Sequence, residues 1–142
     1  MKTLKIKSLE NRYVDRDEIL LHAAFQVLQD FMEKEKPNIV DWNRNKELAS
    51  AWREIKSLYR WWTKIRPARK NPFDSQMVEC PPLEFEPVPG RKGWSKIVPY
   101  DKEKYKEYDK ACDAQHKAEI RWEKQDQKNL HRLIYIRMYL WT

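Results

Sequence analysis

Residues 52–72 read WREIKSLYRWWTKIRPARKNP, and this stretch decides the fold prediction for the whole chain. Its apolar residues recur at the three- and four-residue spacing of an α-helix, which places them on one face. Pro67 marks the end of the helix because proline has no backbone N–H to donate. The face predicted to pack in the core comprises Leu48, Trp52, Ile55, Tyr59 and Trp62, with Ala51, Leu58 and Ile65 along its edge.

The opposite side of the same helix is basic. Over residues 53–70, seven cations stand against one acid, Glu54. A solvated helix face needs charge but not charge of one sign, so this row predicts an anionic ligand or partner. Trp61 lies between the two faces, and we expect its ring to stay exposed beside the cations. The row consists of Arg53, Lys56, Arg60 and Lys64 on the helix and of Arg66, Arg69 and Lys70 at its exit.

The composition is that of a folded protein with an unusual charge distribution. With 142 residues, the chain has the length of a single helical domain, predicted to span 1–142. Charged residues reach 36%, but 13% aromatic residues supply the apolar area that disordered chains lack. Only two glycines occur, which excludes the glycine-rich phosphate loops of dinucleotide-binding and Walker-type enzymes. The net charge of +7 is concentrated in residues 37–72, where nine basic residues outnumber three acids.

The periodicity along the chain predicts a mainly α fold. Three principal helices are expected, near 16–36, 45–66 and 102–140, with the last as one long C-terminal helix. Apolar and basic residues alternate over residues 4–7, which predicts one short N-terminal strand or an extended arm.

The first helix has a wide apolar arc, which predicts a central and well-buried position. Asp15 and Glu18 resemble a capping box at its start. His22 falls in the remaining polar arc with Gln26, and we expect it to be solvated. The apolar arc is formed by Leu20, Ala24, Val27, Leu28 and Phe31, with Leu21, Phe25 and Met32 beside them.

Residues 67–99 contain seven of the eight prolines and both glycines, so we expect an irregular, extended crossing there. Its acidic middle is a candidate to fold back over the basic row. Arg91 and Lys92 lie close to Trp94, which makes these three residues further candidates for ligand binding. The segment GRKG at 90–93 matches the two-glycine loop with which KH domains clamp a nucleic-acid backbone. Such a loop joins two helices, however, and prolines surround this one, so a plain glycine turn is favoured.

On the third predicted helix, the face that carries apolar residues at both ends becomes polar in the middle. Three explanations are open: a break that resets the helical phase, a helix that projects into solvent or a partner subunit, or a buried site of histidine and carboxylates. The spacing of His116 and Glu119 occurs in metal sites of helical bundles. The first helix offers no inward carboxylate to complete such a site, so solvation or oligomer contact is favoured. The polar interval comprises Gln115, His116, Glu119, Glu123 and Asp126.

Several classes of protein are not indicated. Cys80 and Cys112 have neither metal-binding nor redox spacing. The first ten residues lack the apolar run of a signal peptide, and no segment is apolar enough to span a membrane. We therefore predict a cytoplasmic protein with free thiols. Because no catalytic nucleophile, metal cluster or phosphate loop is recognisable, we expect neither an enzyme nor a bound cofactor.

The chain carries three motifs: LHAAF at 21–25 with DF at 30–31, LYRWW at 58–62 with RPAR at 66–69, and RLI at 132–134 with LWT at 140–142. Together they resemble a family of small uncharacterised tailed-bacteriophage proteins. The turn Lys70-Asn71-Pro72 departs from that family, in which an aspartate precedes the proline. The resemblance implies a viral protein in the cytoplasm of an infected bacterium, where such proteins often disable host defences or redirect host machinery. It transfers no activity to any residue.

Two function classes follow from the basic row. In the first, the cations bind the phosphates of a nucleotide second messenger or a nucleic acid, and Trp61 or Trp94 stacks on a base. Sequestration of that ligand would counter a host defence. In the alternative, the same surface docks on an acidic host protein, with Trp61 and the neighbouring arginines as its anchors. We also expect a homo-oligomer, with a dimer favoured, because the apolar surface exceeds what one small core can cover.

Overall fold

The computed structural model describes residues 4–9, 13–35, 37–74 and 78–140. Three residues named in the sequence-based predictions lie outside the described residues. They are Lys36, where the predicted first helix ends, and the last two residues of the LWT motif.

The fold is mainly helical, as predicted, and helices make up 58% of the described residues. The first helix, α1, begins after Asp15, whose side chain makes no capping hydrogen bond, so the capping box is not formed. The predicted second helix is present as an α-helical part followed directly by a π-helical turn. Within the described ranges, no helix is long and apolar enough to cross a bilayer. The helical elements are α1 (Arg16–Lys34), a 3₁₀ turn (Pro37–Ile39), α2 (Lys46–Arg60), the π turn (Trp61–Ile65), α3 (Lys106–Ile136) and a 3₁₀ turn (Arg137–Tyr139).

Of the two alternatives predicted for the N-terminal segment, a short strand or an extended arm, the strand is not formed in the described residues. Residues 4–9 contain no strand, because they lie against α1 instead of pairing with another extended segment. A hairpin forms inside the proline-rich crossing, where β1 (Phe85–Pro87) pairs antiparallel with β2 (Ser95–Ile97). Gly90 and Gly93 have φ values of 76° and 80°, which glycine adopts without strain, and they turn the chain between the strands.

The chain divides into two compact units. The first unit comprises Met1–Arg69 and Glu123–Thr142, and the second comprises Lys70–Trp122. The first unit therefore holds α1, α2, the π turn and the C-terminal part of α3. The second holds the hairpin and the N-terminal part of α3.

The core of the first unit is centred on α1 and α2. Phe25, Ile55 and Leu58 are fully buried, and the Phe25 ring stacks on Trp62 with centroids 4.6 Å apart. The predicted core face of α2 is confirmed at its centre. Ile65, placed at the edge of that face, is 48% exposed because it follows the start of the π turn.

The apolar arc of α1 is narrower than predicted. Leu21, Phe25 and Leu28 are buried, but Leu20 and Val27 are 62% and 44% exposed. Leu20 and Val27, seven residues apart, share one edge of the arc, and this edge is exposed among the described residues. This exposed edge leaves apolar surface uncovered in a single chain.

The prediction that His22 is solvated was wrong. His22 and Gln26 are buried because the N-terminal segment covers the polar arc of α1. The backbone N–H of Lys7 donates to Gln26 Oε1 at 2.9 Å, and Ser8 Oγ lies 2.7 Å from His22 Nδ1. The His22 ring also meets Trp62 edge-on, with centroids 4.9 Å apart. These polar side chains thus help to attach the N-terminal segment to the core.

Candidate basic groove

The first unit has a groove with a volume of about 750 Å³ between α2 with its π turn and the C-terminal part of α3. Six of its lining residues are cationic, and no aspartate or glutamate is among them. The cations come from both helices, and polar or apolar side chains complete the lining. We call this the basic groove, and its residues are Arg53, Lys56, Ser57, Arg60, Trp61, Ile65, Lys124, Gln125, Lys128, Asn129 and Arg132.

Five of the six groove cations have no carboxylate partner among the described residues. The side chains of all five make neither a hydrogen bond nor an ion pair there, and the ammonium of Lys56 lies 5.4 Å from the Trp52 ring centroid. All five are exposed. We refer to them as the free groove cations: Arg53, Lys56, Arg60, Lys124 and Lys128.

Arg132, the sixth cation, is held in place by its neighbours. Its guanidinium donates to both carboxylate oxygens of Glu54, at 2.5 and 3.0 Å, and to Asn129 Oδ1 at 2.6 Å. A further bond reaches Ser57 Oγ at 3.2 Å. Hydrogen bonding from Arg132 lowers the pKa of Glu54, and the carboxylate in turn raises the pKa of Arg132. This pair joins α2 to α3 and fixes one end of the groove.

Trp61 is buried, which contradicts the predicted exposed ring. Only 4% of its surface is exposed, and it packs against Phe25 with centroids 5.1 Å apart. Trp61 is also the first residue of the π turn, in which the Arg66 N–H donates to Trp61 O at 2.8 Å. Trp61 and Trp62 both belong to the hydrophobic core of the first unit.

The indole Nε1 of Trp61 is buried and has no hydrogen-bond partner among the described residues. Leaving a buried donor without an acceptor costs about 1–3 kcal/mol. The same residue lines the basic groove. π turns often occur at functional sites, and this one begins at Trp61, a residue of both the core and the groove.

Arg66 and Arg69 belong to the predicted basic row, but unlike the free groove cations they are paired with a carboxylate. Both donate to Asp126 of α3, at 3.2 Å from Arg66 Nε and 2.5 Å from Arg69 Nη2. Their guanidinium carbons lie 5.0 Å from the Trp62 centroid and 5.7 Å from the Trp61 centroid, respectively. They therefore fasten the exit of the π turn to α3.

The remaining predicted site residues do not line the groove. Lys64 is exposed on the π turn outside the groove lining, and Lys70 belongs to the second unit. Arg91, Lys92 and Trp94 also belong to the second unit, at the hairpin turn, where the Arg91 guanidinium carbon lies 5.4 Å from the Trp94 centroid. The KH comparison fails because the loop joins two strands and not two helices.

The polar interval of α3 is explained without a metal site. The helix continues unbroken through it, and His116 and Glu119 are both exposed, so the buried histidine–carboxylate site was wrong. In the described part of the chain, no cluster of histidine, cysteine, aspartate or glutamate is placed to hold a metal ion. Part of the interval faces its own unit, where Asp126 pairs with the two arginines of the π-turn exit.

The sequence analysis missed the contribution of α3. Lys124, Lys128 and Arg132 follow one another at four-residue spacing, which places all three on one helical face. That spacing was a usable signal for a second basic row. The periodicity of α3 alone does not show which helix this basic row faces, because that depends on tertiary packing.

The comparisons with known proteins add no family to this description. No protein-family model matches the chain, and no curated protein and no solved structure is significantly similar to it. The basic groove is therefore the basis for assigning a function, and the resemblance to phage proteins stays a prediction.

Proposed function

We propose that the protein is a non-catalytic binder of a phosphate-bearing ligand, either a nucleotide or a nucleic acid, which it holds in the basic groove. One observation carries this proposal: five cations from two helices line one groove without a carboxylate partner in the described residues. Like charges gathered in a groove repel one another and concentrate anions from solution. A phosphate-bearing ligand satisfies both properties because it neutralises several cations at once.

The dimensions of the basic groove agree with such a ligand. Its volume of about 750 Å³ lies within the range of ~300–1,000 Å³ that is usual for sites of small molecules and cofactors. The free groove cations lie on both walls, so a phosphate between α2 and α3 is contacted from two sides. Arg132, fixed by Glu54, keeps one end of this arrangement in a constant geometry.

The biological role that we propose is sequestration of the ligand. It follows the resemblance to small tailed-phage proteins and places the protein in the cytoplasm of an infected bacterium. The alternative, docking on an acidic host protein, relied on an exposed Trp61 and the neighbouring arginines as anchors. The burial of Trp61 removes the aromatic anchor, so we treat host-protein docking as an outcome of the test.

The proposal is tested with two charge-matched triple variants. Arg60→Gln, Lys124→Gln and Lys128→Gln together remove three free groove cations. Lys46→Gln, Lys102→Gln and Lys117→Gln remove three exposed lysines outside the groove and change the net charge equally. Binding of a fluorescein-labelled oligothymidylate of twenty nucleotides, and of labelled ATP, is followed by fluorescence anisotropy.

We expect the groove triple variant to bind at least one of these probes about a hundredfold more weakly than wild type, at ~1 kcal/mol for each contact. The control variant should change affinity by less than about threefold, since long-range steering alone is screened by salt. Equal losses in both variants would show non-specific attraction by net charge. No binding of either probe to wild type, together with binding to an acidic protein, would favour the docking alternative.

A further inference from the structure

Trp61 is the one groove residue whose polar atom is deeply buried and lacks a partner in the described part of the chain. Buried N–H groups are almost always paired with protein or with an ordered molecule. Because Trp61 lines the basic groove, an acceptor for its Nε1–H can come from whatever occupies that groove. The cations that surround the groove select anionic acceptors.

We propose that the Nε1–H of Trp61 donates a hydrogen bond to a phosphate oxygen of the ligand, so that the groove recognises the phosphate and not the base. This inference rests on the proposed function of the groove. It assigns Trp61 a role as a hydrogen-bond donor in place of the stacking platform expected from the sequence. The same chemistry is offered by a nucleotide, a nucleic-acid backbone or a polyphosphate chain.

The packing around Trp61 supports recognition without a base. Phe25 packs against the ring with centroids 5.1 Å apart, and the guanidinium carbon of Arg69 lies 5.7 Å from the ring centroid. These neighbours leave no open ring face on which a base can stack. Among the described lining residues, no other aromatic side chain is available for stacking.

A ligand reaches the indole nitrogen only after a local adjustment, since this atom exposes less than 1 Å². The groove allows such an adjustment. Arg60 and Lys124 are exposed and have no carboxylate partner among the described residues, so their side chains move toward an arriving phosphate without breaking an ion pair. The phosphate then contacts the cations and accepts the hydrogen bond from Trp61 Nε1–H.

The test compares Trp61→Phe, which keeps a ring but removes the donor, with Trp62→Phe as the matched control. Trp62 is the adjacent buried tryptophan and does not line the groove. Three probes are titrated: inorganic tripolyphosphate, ATP and the oligothymidylate of twenty nucleotides together with its abasic counterpart. Trp61→Phe should weaken every probe that wild type binds by about tenfold, equally for the normal and the abasic strand, because a hydrogen bond to a charged acceptor is lost. Trp62→Phe should leave the affinities within about twofold.

A second readout does not depend on how well the variants fold. In ¹H–¹⁵N spectra of the wild-type protein, the assigned Nε1–H signal of Trp61 should move downfield on saturation with tripolyphosphate, while the other indole signals stay nearly unchanged. An unchanged Trp61 signal would show that the bound phosphate does not accept from this N–H and would overturn the inference. A loss confined to base-containing probes would also overturn it, since it would indicate stacking.

The two proposals fail in different ways. If Trp61→Phe binds like wild type but the groove triple variant does not bind, the inference about Trp61 is wrong and the proposed function stands. If wild type binds none of the phosphate probes, the proposed function fails, and the inference fails with it.

Discussion

The salt dependence of binding follows directly from the number of free groove cations. Each phosphate neutralised on a single strand contributes about −0.7 to the slope of log K against log salt concentration. Five free groove cations that each contact a phosphate predict a slope of about −3.5, or roughly a hundredfold loss of affinity between 50 and 200 mM salt. The variant in which Arg60, Lys124 and Lys128 are replaced retains two free groove cations, so its slope should be shallower, at about −1.4.

The slope is measured with the labelled oligothymidylate by fluorescence anisotropy at five or more salt concentrations. The control triple variant has the same net charge as the groove variant, so it separates local contact from overall attraction. It should keep the wild-type slope within experimental error. A wild-type slope near zero, or a groove variant with an unchanged slope, would refute the reasoning, because the cations would then not contact phosphates.

Three further predictions concern the stability and assembly of the first unit. Because Arg132 lowers the pKa of Glu54, the pair stabilises the fold above the ordinary carboxyl pKa near 4.5, and this stabilisation is lost as pH falls through the lower pKa of the folded state. Glu54→Gln should therefore lower the free energy of unfolding in urea by ~1 kcal/mol at pH 7. The difference between the variant and wild type should disappear in acid. Asp126→Ala should lower the free energy of unfolding by about 2 kcal/mol in the same assay, because it leaves two partly buried guanidinium groups without their shared carboxylate. A change below ~0.5 kcal/mol would contradict this prediction. Sedimentation equilibrium should show that the wild-type protein is a dimer with the exposed apolar edge of α1 in its interface. The double variant Leu20→Glu, Val27→Glu should be a monomer of 17.4 kDa. A monomeric wild type at tens of micromolar would contradict this interface.

The helical architecture was predictable because it depends on local periodicity. The three helices lie where apolar spacing, Pro37 and Pro67 indicated, and the third runs unbroken for 31 residues. The hairpin was missed because prolines and glycines argue against helix but do not by themselves distinguish an irregular segment from two short strands. Only the register, with Phe85 opposite Ile97, shows which residues pair.

The candidate site was predictable only in part. The cations of α2 were identified from their one-sided charge, but two features depend on structure beyond one helix. Trp61 is buried beside Trp62 and packs against Phe25 of α1, a contact that the periodicity of α2 alone does not show. The pairing of α2 with α3 adds Lys124 and Lys128 and engages Arg132, which determines which cations stay free.

The most direct test of the central claim is chemical-shift mapping of the bound phosphate. Backbone amide signals are recorded while wild-type protein is titrated with tripolyphosphate and then with the oligothymidylate. The account predicts that the largest changes cluster in residues 53–61 and 124–132, which form the two walls of the basic groove. Changes concentrated instead around Arg91–Trp94 at the hairpin turn, or spread evenly over all surface lysines, would contradict it.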